Sequence, residues 1–584
     1  MRSLPMFAIL LALIAPAAAE PVAGASADSL VAPAETPSDA KRLIESGSAA
    51  FEREEFDAAL ADLDRAIAID PSNATALALR GSVYRALARY DEAMADFDAA
   101  IDLDPTRATA FAGRCDTYRR MDRPNTAVPD CAQALILDPM NPDALLARGR
   151  LALDLDDSYS AIRYFTVVIE KDDRNRVAFF DRCGAYNSQK NVERAVADCS
   201  RAIELAPRWA EAYARRANVY LDDNQLDAAI ADYSKAIALD PRSASYRIDR
   251  GHTRILAGRY ALAASDCEAA LRLDPESALA FNNLGFVRER QDRPDEALRL
   301  YAHAAEIDRG NLLPRYNRID LLKSLGRNEE AMDLLDALIA DAPEESDAYA
   351  GRAELNLTLG QTLDALSDAG KAIALDPRNA WAHNIEGMTQ EREGRTDAAL
   401  AAYGRAIDID PDYQSARRQR AQILLDRGDA EAAIADLDAV IEGKDPSSAT
   451  LLLRCRARMQ MGALPEALDD CDRALELNDS NARIYEQRGQ VQVRLNDDAG
   501  ALADYDAAIR LDRQSAVAYR GRAWVLMALE RSPEGLLSFD RAVALDPNDY
   551  ETRVGRLFWN IYLLDWFGTA FDASRVIALT ARRN

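Results

Sequence analysis

Six of the seven cysteines fall into pairs sixteen residues apart, Cys115/Cys131, Cys183/Cys199 and Cys455/Cys471, which leaves Cys267 alone. Thiols at one fixed spacing can cross-link, hold a metal or fill space. No third or fourth ligand stands beside any pair, which argues against a metal centre. Disulfides are the favoured reading for a chain exposed to an oxidising compartment. Three pairs of small buried thiols are the alternative.

Other chemistry is thinly represented. The three histidines, His252, His303 and His383, are far apart and suggest neither a histidine-based triad nor a multi-histidine metal site. Gly370-Lys371 lacks the earlier glycine and following Ser/Thr of a phosphate loop. Asp172-Asp173 lacks the alternating ligands and glycine of a calcium loop. The expectation is a non-enzymatic protein with no cofactor, no metal site and no catalytic residue.

Composition points to a folded, alanine-rich helical chain: 49% of residues are hydrophobic, 29% charged and only 7% aromatic. At 584 residues it is too long for one ordinary core, so several domains or an extended array are expected. A net charge of −26 repels phosphate backbones and argues against nucleic acid as a partner. Arg2, the apolar stretch Leu4 to Ile14 and Ala17-Ala18-Ala19 form an export signal (residues 1–19) with cleavage expected after Ala19. That stretch is short for a span of roughly 20 residues, and the mature chain is expected to lack an integral membrane segment. The mature protein is expected to be periplasmic or secreted, with residues 20–39 a flexible leader rich in Ala, Pro and Ser.

The elements that position the cysteines are legible in an internal period. Asp-Pro recurs at Asp70-Pro71, Asp104-Pro105, Asp138-Pro139, Asp240-Pro241, Asp274-Pro275, Asp376-Pro377, Asp410-Pro411 and Asp546-Pro547, always 34 residues or a multiple of 34 apart. With the proline at position 32, fifteen repeats run without a gap from 40 to 549, repeat 1 being residues 40–73. Near Asp445-Pro446 the dipeptide slips by one residue, so a local distortion is expected there. Position 20 is Ala in fourteen repeats and Gly535 in the last. Small residues at 20 and 27 with a larger one at 24, such as Phe97, Phe165, Tyr233 or Tyr403, form one helical face. Position 4 repeats the logic for an earlier helix, with Phe111, Phe179 and Tyr213. Position 15 is often Gly or Asn, which tolerate the left-handed conformation that ends a helix. Each repeat is therefore helix, tight turn, helix, loop. The cysteines stand at positions 8 and 24, on facing sides of two antiparallel helices.

A second pairing joins Arg at position 7 to Asp at position 23, present together in nine repeats from Arg80/Asp96 to Arg488/Asp504. Two repeats lose both, having Leu284/Leu300 and Glu386/Ala402. An ion pair between the two helices of each repeat is expected.

Large at 4, small at 8, Ala at 20, aromatic at 24, Ala at 27 and Pro at 32 resemble the tetratricopeptide repeat, at the same 34-residue length. Arg at position 7, in twelve of fifteen repeats, departs from its usual apolar residue. The resemblance implies an all-α, right-handed α-solenoid (superhelix) of about fifteen helix-turn-helix units. Residues 550–584 would form a C-terminal helical cap, rich in aromatics at Phe558, Trp559, Tyr562, Trp566, Phe567 and Phe571, with an exposed docking patch as the alternative. In such proteins positions 2, 5, 6, 9, 12 and 13 of the first helix face ligands. Carried onto this chain, the partner-binding groove would include Phe180, Asn282, Asn283, Phe286, Tyr316, Asn317, Trp381, Asn384, Met388, Trp524 and Met527. Asn283 and Asn317 share position 6 and could grip an extended peptide backbone.

The expected function is a scaffold or adaptor of the cell envelope that binds protein or peptide partners. The alternative is a component of envelope polysaccharide assembly or export that contacts glycan or a secretion channel. Thiol labelling of denatured, unreduced protein is expected to mark Cys267 alone; seven labelled cysteines would overturn the disulfide reading.

Overall fold

A computed structural model of the chain describes residues 36–443 and 447–562. The expected export signal, residues 20–35 of the leader, the Asp445-Pro446 slip and the aromatics Trp566, Phe567 and Phe571 lie outside the described residues. Among the described residues there are 31 α-helices: fifteen helix pairs, one per repeat, and a final helix, Tyr550–Tyr562. The first helix begins at Pro37, where Asp39 accepts the Thr36 backbone N–H at 2.8 Å, so residues 37–39 are helical rather than leader.

Local chemistry sets each boundary. In repeat 2 the first helix, Ala74–Ala86, starts behind Asn73, whose side chain accepts the Ala76 N–H. The second, Tyr90–Leu103, stops before Asp104-Pro105, where the Asp104 carboxylate accepts the Thr106 N–H at 3.1 Å. The recurring acid of the loop is thus a turn residue. Position 15 has positive φ in all fifteen repeats, at six glycines and nine other residues that include Ala88, Lys190 and Asn224. The two-helix turn imposes that conformation whatever residue stands there, at about 1 kcal/mol for a non-glycine.

The described residues group into two compact units that divide between Val287 and Arg288, inside the first helix of repeat 8 (Ala278–Arg290). Within each, helices pack on their neighbours in the chain. The alanines at position 20 are wholly buried from Ala59 through Ala501. Opposite them, positions 8 and 24 trade volume. Phe97 packs on Gly81, where a Cβ would come within 3.0 Å of its ring, and Tyr505 packs on Gly489 in the same way at 3.2 Å. The Phe97 ring also reaches Gly113, at position 6 of the following repeat, where a Cβ would collide with it. Where position 8 is cysteine, position 24 is cysteine too. The structure joins Cys115–Cys131, Cys183–Cys199 and Cys455–Cys471 as disulfides with Cα atoms 5.4, 5.4 and 5.7 Å apart. Cys267 is buried against Gly251 instead, which has no sulfur to offer.

All nine Arg/Asp pairs form, and each is a two-point fork. Nε and Nη2 of the arginine donate to the two carboxylate oxygens at 2.6–3.2 Å. In eight of the nine, Nη1 also donates at 2.6–3.0 Å to position 25 on the second helix of the preceding repeat: Asp64, Asp98, Thr166, Ser200, Ser234, Asp336, Asp438 or Asp472. One guanidinium therefore ties three helices. It also sits over the position-4 ring, for instance Arg114 at 5.7 Å from Phe111 and Arg352 at 5.7 Å from Tyr349. This explains why an arginine can replace the apolar residue at position 7.

The most enclosed fork is Arg454–Asp470, with side chains 8% and 0% exposed, and Arg458 adds a second contact to Asp470 at 2.8 Å. Asp470→Ala leaves two shielded cations without their acid, a loss of about 3–5 kcal/mol. Thermal unfolding is expected to shift down by several degrees, and an unchanged melting temperature would refute the structural role.

Candidate partner-binding face

Within each unit, first helices of many successive repeats pack on one another, so their positions 2, 5, 6, 9, 12 and 13 form a face on which a partner could be held. In the first compact unit this face is dense with charge that is matched internally. Asp116, at position 9 of repeat 3, is 1% exposed. It is met by Arg85 of repeat 2 at 3.1 Å, Arg119 at 3.0 Å, Arg120 at 3.3 Å and Arg150 of repeat 4 at 3.8 Å. Arg150 passes the contact on to Asp181 of repeat 5 at 2.7 Å. Burial alone would raise the Asp116 pKa; the combined field of Arg85, Arg150, Arg119 and Arg120 outweighs it and holds the carboxyl below the usual range.

Beside this cluster lies a groove of about 530 Å³, lined by Phe180, Asn187, Glu211, Arg215, Tyr246 and Asp249 among others. Phe180 stacks on Trp209 with ring centroids 4.5 Å apart, and the Arg215 guanidinium lies 4.1 Å from the Phe180 centroid. Gly184 makes room for that guanidinium, since a Cβ there would collide with Nη1. Burial pushes Arg215 below its ordinary value. The same cause pushes Tyr246 up to about 12 and Asp249 above the usual carboxylate range. A desolvated cation resting on an aromatic ring, with a phenol and amides around it, can hold an acidic or carbonyl group together with an apolar side chain.

The residues expected in the groove are placed unequally. Phe180 lines it. Phe286, Tyr316, Asn317, Trp381, Met388 and Met527 are half-buried, and Trp524 is 40% exposed. Asn282 and Asn283 are only 6% exposed and Asn384 only 3%, so the structure turns these amides inward instead of presenting them to a peptide. Asn283 stands at position 6, the position at which Gly113 receives Phe97, but the position-24 residue of the repeat before it is Cys267 and not a ring. Asn384 donates to Met388 Sδ at 3.5 Å. Trp381 packs over Ala350 and Ile385, and Tyr316 donates its hydroxyl to Glu345 at 3.3 Å. Trp524 meets Phe539 edge-on at 5.5 Å, and Met527 packs with Ala523, Phe539 and Trp559. Arg215, Trp209 and Tyr246 were not singled out by their spacing. Arg215 adjoins the fork residue Arg216, and only the three-dimensional register separates the two. Among the described residues no helix is long and apolar enough to cross a membrane.

Family models of the tetratricopeptide repeat match residues 47–112, 210–243, 248–311, 289–355, 386–449, 452–516 and 487–550, together more than half of the chain. Cell division cycle protein 27 homolog A of Arabidopsis thaliana is 31% identical over 106 residues, 18% of this chain and 15% of that protein. The chain thus spans far less than two thirds of this relative's length. Among solved structures, the APC/C hetero-tetramer Cut9-Hcn1 aligns at 14% identity over 89% of this chain and 96% of that one, with a TM-score of 0.45. A tetratricopeptide repeat protein from Parabacteroides merdae aligns at 22% identity over 43% of this chain and 98% of that one, with a TM-score of 0.34.

The Asp116 cluster carries a pH signature. A carboxyl whose folded pKa lies below its unfolded value contributes stability above the unfolded pKa of about 3.9, and loses it as pH falls further. Asp116→Asn is therefore expected to lower the melting temperature at neutral pH and to flatten its decline between about pH 5 and pH 3. Parallel melting curves for variant and wild type would remove Asp116 from the acid response.

Proposed function

Because the chain belongs to the tetratricopeptide-repeat family, we propose that it is a non-enzymatic interaction scaffold that holds protein segments on the face made by its first helices. The observation that carries this reading is the groove at repeats 5 to 7, where the Arg215 guanidinium rests on Phe180 inside a recess of about 530 Å³. Elsewhere on that face the charges of the first unit are matched within the chain, as around Asp116, and have little left for a ligand. Arg215 differs: it is largely desolvated, and Asp181 and Glu211 act on it only at a distance. An acidic or carbonyl group of a partner would supply what the chain does not, and an apolar neighbour would cover Phe180. This favours a polypeptide over a glycan, for which a row of free aromatic faces would be the better platform.

The proposed site of action is the cell envelope or beyond it, in an oxidising compartment. Two features support that placement: the export-signal pattern of residues 1–19, and three cysteine pairs at disulfide distance with no exposed thiol among the described residues. A disulfide across sixteen residues stabilises by about 3 kcal/mol, and would do so at three of the fifteen repeats.

The test is affinity capture from an envelope extract under non-reducing conditions. Phe180→Ala/Arg215→Ala is expected to recover at least about tenfold less of a specific partner than wild type, the order expected for truncating a central aromatic and arginine pair. Its melting temperature should stay within a few degrees of wild type. Undiminished recovery by the folded variant would remove this groove from the function.

A further inference from the structure

Nine repeats satisfy the position-7 arginine with Asp at position 23, and eight of these add a polar side chain at position 25 of the repeat before. Repeat 9 keeps the arginine and loses both partners. Arg318 stands at position 7 in the helix Leu313–Ser324, but position 23 is Leu334 and the preceding position 25 is Ala302. Its Nε is buried and makes no hydrogen bond. Glu330, an acid that interacts with it electrostatically, is already held by Arg327 at 2.6 and 2.7 Å.

The missing acids leave space as well as charge. A cavity of about 550 Å³ opens between the second helices of repeats 8 and 9, Pro294–Ile307 and Asn328–Asp341, with Arg318 in its wall. Ala302, Leu312, Leu334 and Leu338 make it partly apolar, and Arg309 and Arg315 add two further cations. Of the acids that line it, Asp341 is engaged by Arg315 at 2.8 Å and Glu306 lies 3.6 Å from His303. The size suits a small ligand or one side chain with its neighbours. The chain's net charge of −26 is little obstacle at this range, because salt screens charges beyond about 8 Å.

We propose that this cavity is a carboxylate-binding site, in which Arg318 takes from outside the chain the acid that nine other repeats supply from position 23. The ligand is a carboxylate on an apolar stem, received as a two-point fork like those of Arg80 and Arg352. The site lies between second helices, on a different side of the helix pair from the groove at Phe180, and does not depend on the function proposed above. The source of the acid is either a free short carboxylic acid or a glutamate side chain of a partner. Arg148 has also lost both acids, to Tyr164 and Ala132, and its Nη1 is likewise unpaired; it does not line this cavity. It serves as the internal control.

Isothermal titration of the full chain separates the outcomes. One arm uses sodium glutarate; the other uses a blocked peptide with a single glutamate between leucines, beside its glutamine counterpart. Glutarate binding identifies a free acid as sufficient, and binding of the glutamate peptide alone identifies a partner side chain; either supports the site. Arg318→Leu should weaken binding at least about tenfold. Leu334→Asp, which restores the internal acid, should do the same and also raise the melting temperature. Arg148→Leu should bind as wild type does. Failure of wild type to bind either probe, equal binding of the glutamine peptide, or undiminished binding by Leu334→Asp would overturn the proposal.

Discussion

A guanidinium at position 7 is the interaction on which the array depends. It reaches the second helix of its own repeat through a carboxylate fork and, in most repeats, the second helix of the repeat before through its remaining nitrogen. Apolar contacts between helices fix distance but slide easily. A planar fork that donates in two directions also fixes register. Because these arginines are mostly shielded on both sides by helices, each needs its acid. Removing one partner costs more than the pair itself contributes, which is how a repeated ion pair becomes a constraint on sequence.

The second constraint is volume at the seam between positions 8 and 24. An aromatic ring at 24 requires glycine or alanine at 8, as in Phe97/Gly81, Tyr403/Gly387 and Phe539/Ala523. Two cysteines satisfy the same space with a covalent bond. Cys267 faces a glycine, so the seam offers it no second sulfur for a disulfide. At the end of the array Trp559 is 1% exposed and packs with Ala523 and Phe539, closing the last seam from the final helix.

With most second helices engaged by forks and the seams filled by rings or disulfides, binding falls to the first-helix face and to places where a fork is missing. Much of that face is internally neutralised, as the four arginines around Asp116 illustrate. The sites that stand out are those where the chain leaves an arginine without a carboxylate of its own. Arg215 on Phe180 and Arg318 beside Leu334 share that property on different sides of the helix pair. Both follow from one principle: a guanidinium removed from water is costly until something negative or carbonyl-like meets it.

The sequence alone determined the helix pairs, their length, the turn at position 15, the Arg/Asp partners and the cysteine partners. All of these arise within one 34-residue period, where spacing along a helix decides which side chains share a face. Only the tertiary structure decided what crosses from one repeat to the next. The third arm of eight of the nine fork arginines and the seating of Phe97 on Gly113 are contacts between repeats. So is the stack of Phe180 with Trp209 and Arg215. Asn283 and Asn384, which spacing had placed on the open face, are likewise buried. Periodicity assigns a residue to a side of its own helix; whether that side is open or covered depends on how closely the neighbouring helices approach, and that distance is set by packing.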